Sequence, residues 1–216
     1  ELKADPVFQE VTDKEILASQ PTISRYNNSL TKDSMKEFQQ ANLAVLDTAY
    51  QLEAPNLFIY ALDSTHADTY GKQYGSAYNS HYGTTGFHPL VMFNGHNGDF
   101  LKALLRSGNV YTNRDVVRFA EDVFIRHQKE YTDINKYVRA DSGFAIPEFY
   151  RCCERNDLEY TIRLKANSVL NKKAKPLLER LNQKANDSKN GYGIVYGSFG
   201  YQAGSWEKER RVVVKI

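Results

Sequence analysis

Apolar residues recur at two spacings along this chain, and the switch between them marks out its elements. Met35, Phe38, Val45, Leu46 and Ala49 repeat at helical intervals, Ser34 and Glu37 supply a capping-box pair ahead of them, and Pro55 closes the segment. The first thirty residues carry cap and turn signals, Pro6, Pro21 and Asn27-Asn28, around Val7, Phe8, Val11, Ile16 and Leu17, and predict a helical lead-in. Asn56 to Asp63 reads as a first strand, an apolar run of strand length that finishes in a carboxylate. His88 to Phe93 predicts a second strand inside a stretch rich in Gly, Tyr, Asn and His. The turn dipeptides Asn94-Gly95 and Asn97-Gly98 then lead to a third strand over about Phe100 to Arg106.

The strongest helical pattern follows, capped by Thr112 to Asp115, with Val116, Ala120, Val123, Phe124 and His127 on one face. Tyr137 to Asp141 is a fourth strand, and it too ends in Asp. Pro147 opens a helix through Arg155, as suits proline at a first helical position, and Leu158 to Leu164 alternates as strand five. Asn171 to Ala185 reads as a basic helix with Leu177, Leu178 and Leu181 inward and Pro176 bending or starting it. Tyr192 to Ala203 and Arg210 to Ile216 predict a β-hairpin or the start of a separate sheet. Three strands followed by alternating helices and strands describe an α/β fold with one mixed sheet.

Composition narrows the function. A hydrophobic share of 41% over 216 residues is enough to build a packed core. The 28 basic and 26 acidic residues leave a net charge of +2, too small for a broad field, so any nucleic-acid surface is local. Lys and Arg are dense from Arg163 through Lys189 and at Lys208, Arg210 and Arg211, a run that serves either as a solvated helix face or as a phosphate-contacting strip. The adjacent Cys152 and Cys153 cannot staple distant segments, which points to a reducing, cytoplasmic setting, and no apolar stretch reaches membrane-spanning length. The opening at Glu1 and the apparently unfinished strand at the other end predict a piece of a longer polypeptide.

Asp63 and Asp141 carry the candidate chemistry. In open α/β sheets ligands gather beyond the carboxyl ends of the strands, and if strands one and four are neighbours both carboxylates meet there. An all-oxygen pair suits Mg2+, which takes its remaining ligands from water and substrate phosphates, and two such ions promote in-line displacement at phosphorus. The competing reading is that each Asp only caps its loop. Ser64, Thr65, His66 and Asp68 are close enough in sequence to orient water or phosphate, or simply to hydrogen-bond the loop; Ser142 and Gly143 permit a tight turn after Asp141. His81, His88 and His96 match no zinc spacing, and Gly191-x-Gly193-x-x-x-Gly197 misses the dinucleotide fingerprint. Tyr70, Tyr74, Tyr78 and Tyr82 suit either base stacking or the packing of a long hairpin, and packing is the expectation.

Four segments carry a resemblance: Leu62-Asp-Ser-Thr65, Arg139-Ala-Asp-Ser-Gly-Phe-Ala145, Tyr160-Thr-Ile-Arg-Leu-Lys-Ala-Asn167, and Ser205-Trp206 with Arg210-Arg-Val-Val-Val-Lys215. Over nearly its whole length the chain resembles bacterial insertion-sequence DDE transposases with a ribonuclease-H-like catalytic domain. The resemblance implies a mixed five-stranded sheet flanked by helices. It divides the chain into a helical lead-in at 1–55, an incomplete ribonuclease-H-like core at 56–190, and the start of a β-rich insertion at 191–216. It implies that Asp63 and Asp141 are metal ligands for Mg2+ or Mn2+, two ions in the complete enzyme. The implied partners are DNA, as transposon terminal inverted repeats and target, and further copies of the protein assembled on that DNA. The third acidic ligand, a Glu in a Tyr/Arg/Glu/Lys signature, is expected beyond Ile216, since Glu207 and Glu209 flank strands as surface charges do. The chain alone is therefore expected to be inactive or nearly so. Its Trp206 falls where related enzymes carry aromatics near a flipped base. A DNA-binding remnant without catalysis and a nuclease of the same fold are the alternatives.

Overall fold

The computed structural model describes residues 5–12, 18–187 and 194–216. They belong to two compact units, Glu1–Ala54 and Pro55–Ile216. The first unit is helical: α1 (Pro6–Thr12), α2 (Gln20–Ser29) and α3 (Lys32–Leu52). Ile16 and Leu17 lie outside the described residues. Pro21 sits in the first turn of α2, where a missing N–H costs nothing, whereas Asn27 and Asn28 are helical and not in a turn. The N-cap of α3 is Thr31, not Ser34. The Thr31 side chain accepts from the Ser34 N–H, and Ser34 Oγ accepts from the Thr31 N–H, so the box closes without Glu37. Met35, Phe38 and Val45 are exposed, and Tyr50 is the buried residue of α3.

The second unit is built on β1 (Leu57–Ser64), β5 (Leu90–Asn94), β6 (Phe100–Leu104), β7 (Asn135–Ala140) and β8 (Glu159–Ile162), in the spatial order β6-β5-β1-β7-β8. β6, β5 and β1 are antiparallel, while β1, β7 and β8 are parallel. This is the mixed five-stranded sheet that the resemblance implies. Alternation in β1 buries Phe58, Tyr60 and Leu62 on one side. There they meet α4 (Val116–Glu130): the Tyr60 ring lies 4.8 Å from Phe124, Phe58 lies 4.5 Å from His127, and the Tyr60 hydroxyl and His127 Nδ1 share a 3.1 Å hydrogen bond. That bond satisfies the one polar atom a buried tyrosine brings with it. Helix α5 (Pro147–Arg155) occupies the predicted residues and buries Phe149, Tyr150, Cys152 and Cys153; burial pushes the Cys152 thiol up to about 11 and Cys153 further still.

Two features differ from the pattern-based expectation. The Gly/Tyr-rich stretch holds a second sheet, β2 (Ala67–Asp68), β3 (Ala77–Asn79) and β4 (Thr84–Phe87) in the order β2-β4-β3, whose strands of two to four residues are too short to show alternation. Helix α6 (Ser168–Asp187) starts earlier than expected, with Pro176 inside it. Leu177 faces Gly197, where an added Cβ would come within 2.4 Å of it. Leu178, one residue and about 100° further round the helix, is exposed and not inward. Gly197 belongs to the hairpin of β9 (Tyr196–Tyr201) and β10 (Arg210–Lys215), which pair antiparallel as a separate sheet; Tyr192 and Gly193 lie outside the described residues.

Candidate metal and phosphate site

The register between β1 and β7 places the two aspartates. Leu62 pairs with Ala140 in parallel, so Asp63 and Asp141, each the next residue, stand side by side at the carboxyl edge. Neighbouring strands run about 4.8 Å apart and side chains alternate in facing. Leu62 and Ala140 are buried, so both carboxylates project from the opposite face, and both are exposed. Each also caps its own turn. Asp63 Oδ1 accepts from the Ser64 N–H at 2.7 Å, and Asp141 Oδ1 accepts from the Gly143 N–H at 2.8 Å at the start of a 3-10 turn over Ser142–Phe144. The loop-capping role thus occupies one oxygen of each carboxylate. The second oxygen of each has no hydrogen bond from the described residues.

One residue that the sequence pattern read only as part of a helix cap touches both loops. Thr112 Oγ1 shares a 3.1 Å hydrogen bond with Ser64 Oγ, and its methyl group lies so close to Gly143 that a Cβ there would approach to 2.7 Å. Thr112 therefore caps no helix. α4 starts instead from Asp115 in a left-handed conformation, φ 63°, without a side-chain cap bond. The loop around Thr112 is tied down by the buried Arg106, whose Nη1 donates to the carbonyls of Tyr111, Thr112 and Arg114 at 3.3, 3.1 and 2.8 Å, while Nε donates to His88 O. Burial lowers the Arg106 pKa, and Asp115 partly offsets it. The planar guanidinium presents Nε and Nη1 to these carbonyls at fixed angles, which a Lys could not reproduce.

The other residues near Asp63 divide. Ser64 is held at the site, while His66 turns away: its buried ring stacks on Tyr82 at 4.6 Å, and its Nε2 lies 3.0 Å from Asp68 Oδ1 without hydrogen-bond geometry. Thr65 donates its N–H to Pro89 O. His88 bonds Val110 O through Nδ1. Among the described residues no three His, Cys, Asp or Glu side chains converge.

The family model described as transposase DDE domain group 1 matches residues 1–216. The chain belongs to that family. No curated protein matches it at a significant level. Similar solved structures include a piggyBac transposase synaptic complex with hairpin DNA, 10% identical with a TM-score of 0.39 over 74% of this chain and 33% of that one. A simian T-cell lymphotropic virus intasome in complex with PP2A regulatory subunit B56 gamma is 18% identical with a TM-score of 0.33, covering 62% of this chain and 44% of that one. The Mos1 mariner paired end complex with Mn is 11% identical with a TM-score of 0.30, covering 81% and 66%. The chain thus spans about a third and under half of the first two of these proteins.

In this DDE domain a cleft of about 590 Å3 is lined among others by Ala140, Arg163, Arg211, Tyr150 and Trp206; neither Asp63 nor Asp141 lines it. Arg163 follows the last paired residue of β8 and donates its N–H to Ala140 O, next to Asp141. Of the basic residues noted in the sequence, Lys208 and Arg210 are already committed. Arg210 grips Glu154 through Nε–Oε1 at 2.9 Å and Nη2–Oε2 at 3.2 Å, and its guanidinium lies over the rings of Tyr150 and Trp206; Lys208 reaches Glu154 at 3.0 Å. Burial alone would raise the Glu154 pKa, but hydrogen bonds from Arg210, Lys208 and Tyr160 together hold it below the usual value. Burial pushes Tyr150 and Tyr160 up to about 12. Glu207 pairs with Arg151, and Glu209 is exposed against Gly200, as expected of surface charges. No described helix is long and apolar enough to cross a membrane.

Proposed function

We propose that this chain belongs to the catalytic domain of a DNA transposase, with Asp63 and Asp141 as its metal ligands. The observation that carries the reading is the register: two carboxylates 78 residues apart in sequence (141 minus 63) stand adjacent on one face at the edge where α/β sheets bind ligands. Their donor set is all oxygen, with one oxygen of each left open, which fits Mg2+ or Mn2+. Such a cation, when bound, supplies Lewis-acid polarisation at a phosphodiester. The chain's own residues do the rest. The N–H donors of Ser64 and Gly143 fix the carboxylate rotamers, Thr112 ties the two loops to each other, and Arg106 ties Thr112 to the sheet. Arg163 and Arg211 bring positive charge to the cleft where a DNA backbone lies.

The substrate is DNA bearing the element's terminal inverted repeats, and the reaction is hydrolysis followed by strand transfer, with copies of the protein assembled on the DNA. The domains follow as a helical lead-in at 1–55, the ribonuclease-H-like core at 56–190 and the start of a β-rich insertion at 191–216. Because no third carboxylate joins the pair among the described residues, the 216-residue chain by itself holds metal weakly and turns over little.

The test is cleavage of inverted-repeat DNA by the complete protein with Mg2+ or Mn2+. Asp63→Asn and Asp141→Asn each remove cleavage to background while leaving the thermal unfolding curve close to wild type, since both side chains are exposed. Cleavage that survives either substitution refutes the assignment.

A further inference from the structure

Helix α3 carries two apolar stripes, and the fold uses one of them. Leu43 and Leu46 are half-buried and Tyr50 is buried, at spacings of three and four, so these residues form the packed side of the helix. Met35, Phe38, Val45, Ala49 and Leu52 fall elsewhere. With Asn42 they follow one another at intervals of three, four, three, four and three, which at about 100° per residue gathers them into one stripe, centred roughly a quarter turn from the packed side. The stripe is left in water. Met35 and Phe38 are about half exposed, Val45 is 68% and Leu52 87% exposed, and Ala49 is exposed as well.

A face of this kind calls for a cover. Among the side chains described in the Glu1–Ala54 unit Tyr50 alone is buried, while Val7, Val11, Ile23 and Tyr26 are exposed. The unit therefore has almost no core of its own, although helices of such lengths depend on packing an apolar face.

The make-up of the stripe selects what covers it. Alternating intervals of three and four are the seam of a two-stranded coiled coil. The flanking positions Ser34, Gln39, Ala41, Leu46 and Thr48 are all uncharged, so nothing along the seam attracts a phosphate backbone or repels an identical helix. The seam is also complementary to itself when reversed. Set antiparallel about a two-fold axis level with residues 43 and 44, it places Met35 on Leu52 of a second copy, Phe38 on Ala49 and Asn42 on Val45, so that the bulkiest side chain meets the smallest. The same alignment brings exposed Lys32 opposite exposed Glu53 of the second copy, and symmetry makes that pair twice. Glu53 is the C-cap of its own helix, the unfavourable end for a carboxylate, and the alignment sets it at the N-terminus of the other. A parallel alignment stacks Phe38 on Phe38 and Ala49 on Ala49 and holds Lys32 far from Glu53. Asn42 lies next to the axis, where one polar seam residue fixes the register at some cost in stability. We propose that α3 pairs antiparallel with α3 of a second copy through the seam from Met35 to Leu52, making the chain a weak dimer without DNA. The inference goes beyond the catalytic reading, since neither metal nor DNA enters the pairing.

The test is sedimentation equilibrium of the 216-residue chain with a chelator and no DNA. The wild type is expected to dimerise with Kd on the order of 10 µM, since the seam is short of three full heptads. Phe38→Glu/Val45→Glu is expected to raise Kd by more than about a hundredfold while helical circular dichroism stays at the wild-type level, because both positions are exposed and Glu is a good helix former. Lys32→Glu is expected to weaken the dimer about tenfold, and Lys32→Glu/Glu53→Lys to return it to within about threefold of the wild type. The charge variants leave the apolar seam intact and decide the matter if the first variant loses helix. A wild type that stays monomeric to about 500 µM, or a dimer indifferent to Phe38→Glu/Val45→Glu, overturns the seam. A loss in Lys32→Glu that Glu53→Lys does not restore, or no loss at all, overturns the antiparallel alignment. Cleavage by the Asp63 and Asp141 variants is read in its own assay, so failure of either reading leaves the other standing.

Discussion

Tyr60 and Tyr74 are the same side chain in opposite settings within one unit. Tyr60 is fully buried, its ring between Phe58 and Phe124 and its hydroxyl bonded to His127. Tyr74 has no neighbour to shield it and precedes a left-handed glycine. Backbone context, not residue type, decides the role: a strand that alternates delivers its tyrosine to the core, and a turn that reverses on glycine delivers it to solvent. A third setting lies between them. Tyr150 and Tyr160 are stacked 5.5 Å apart in the lining of the cleft, where the Arg210–Glu154 pair joins the β9–β10 hairpin to α5.

Unfolding measurements separate these settings, beginning with the core. Tyr60→Ala removes a buried ring and is expected to cost about 3 to 5 kcal/mol in urea titration, close to the whole stability of a modest domain. A loss below about 1 kcal/mol would dissolve the contrast. The hairpin clasp comes next. Glu154→Gln leaves the Arg210 guanidinium without its charged partner and is expected to cost about 1.5 to 3 kcal/mol at pH 7. The Glu154 pKa is depressed in the fold, so its contribution is present above the ordinary value of 4.5 and disappears as the pH falls below it. The gap between wild type and variant should therefore shrink as the pH falls below 4.5 and through the depressed folded-state value, and a gap that stays constant on acidification argues that the carboxylate is not the source. The surface rings come last. Tyr74→Ala is expected to move stability by no more than about 0.5 kcal/mol in the same titration.

The sheet was legible in the sequence because its strands are long enough to alternate or to run apolar. β6 and β8 fall within the predicted runs, β1, β5 and β7 overlap theirs with ends displaced by one or two residues, and α5 begins and ends at the predicted residues. The illegible parts have physical causes. The strands of the small sheet offer two to four residues each, and Thr84-Thr85-Gly86 carries no apolar signal; its order comes from the close approach of Gly86 to Ala67 O and of Gly108 to Ala77 O. The capping box of α3 moved because Ser34 serves equally well as an N3 partner and as a cap. At the site, Asp63 and Asp141 stood out because each closes a strand. Arg106 left no trace as a site residue and Thr112 read only as part of a helix cap, since their partners, Ser64 and the carbonyls of 111, 112 and 114, are chosen by the tertiary fold and not by local spacing. The strand geometry of β1 buries Tyr60, whereas four tyrosines in a glycine-rich stretch have no period from which burial could be read.

The pairing of Leu62 with Ala140 has a consequence for assembly. Sliding β7 by one position would keep nearly all the ladder bonds and yet turn Asp141 inward, against the aromatic layer of α4, where an ionised carboxylate is costly. The same residue that serves chemistry in the correct alignment thus penalises the neighbouring one. Lys136, buried on that inner side with its ammonium donating to Ile134 O, reinforces the selection, since a slip would strip it of its carbonyl partners.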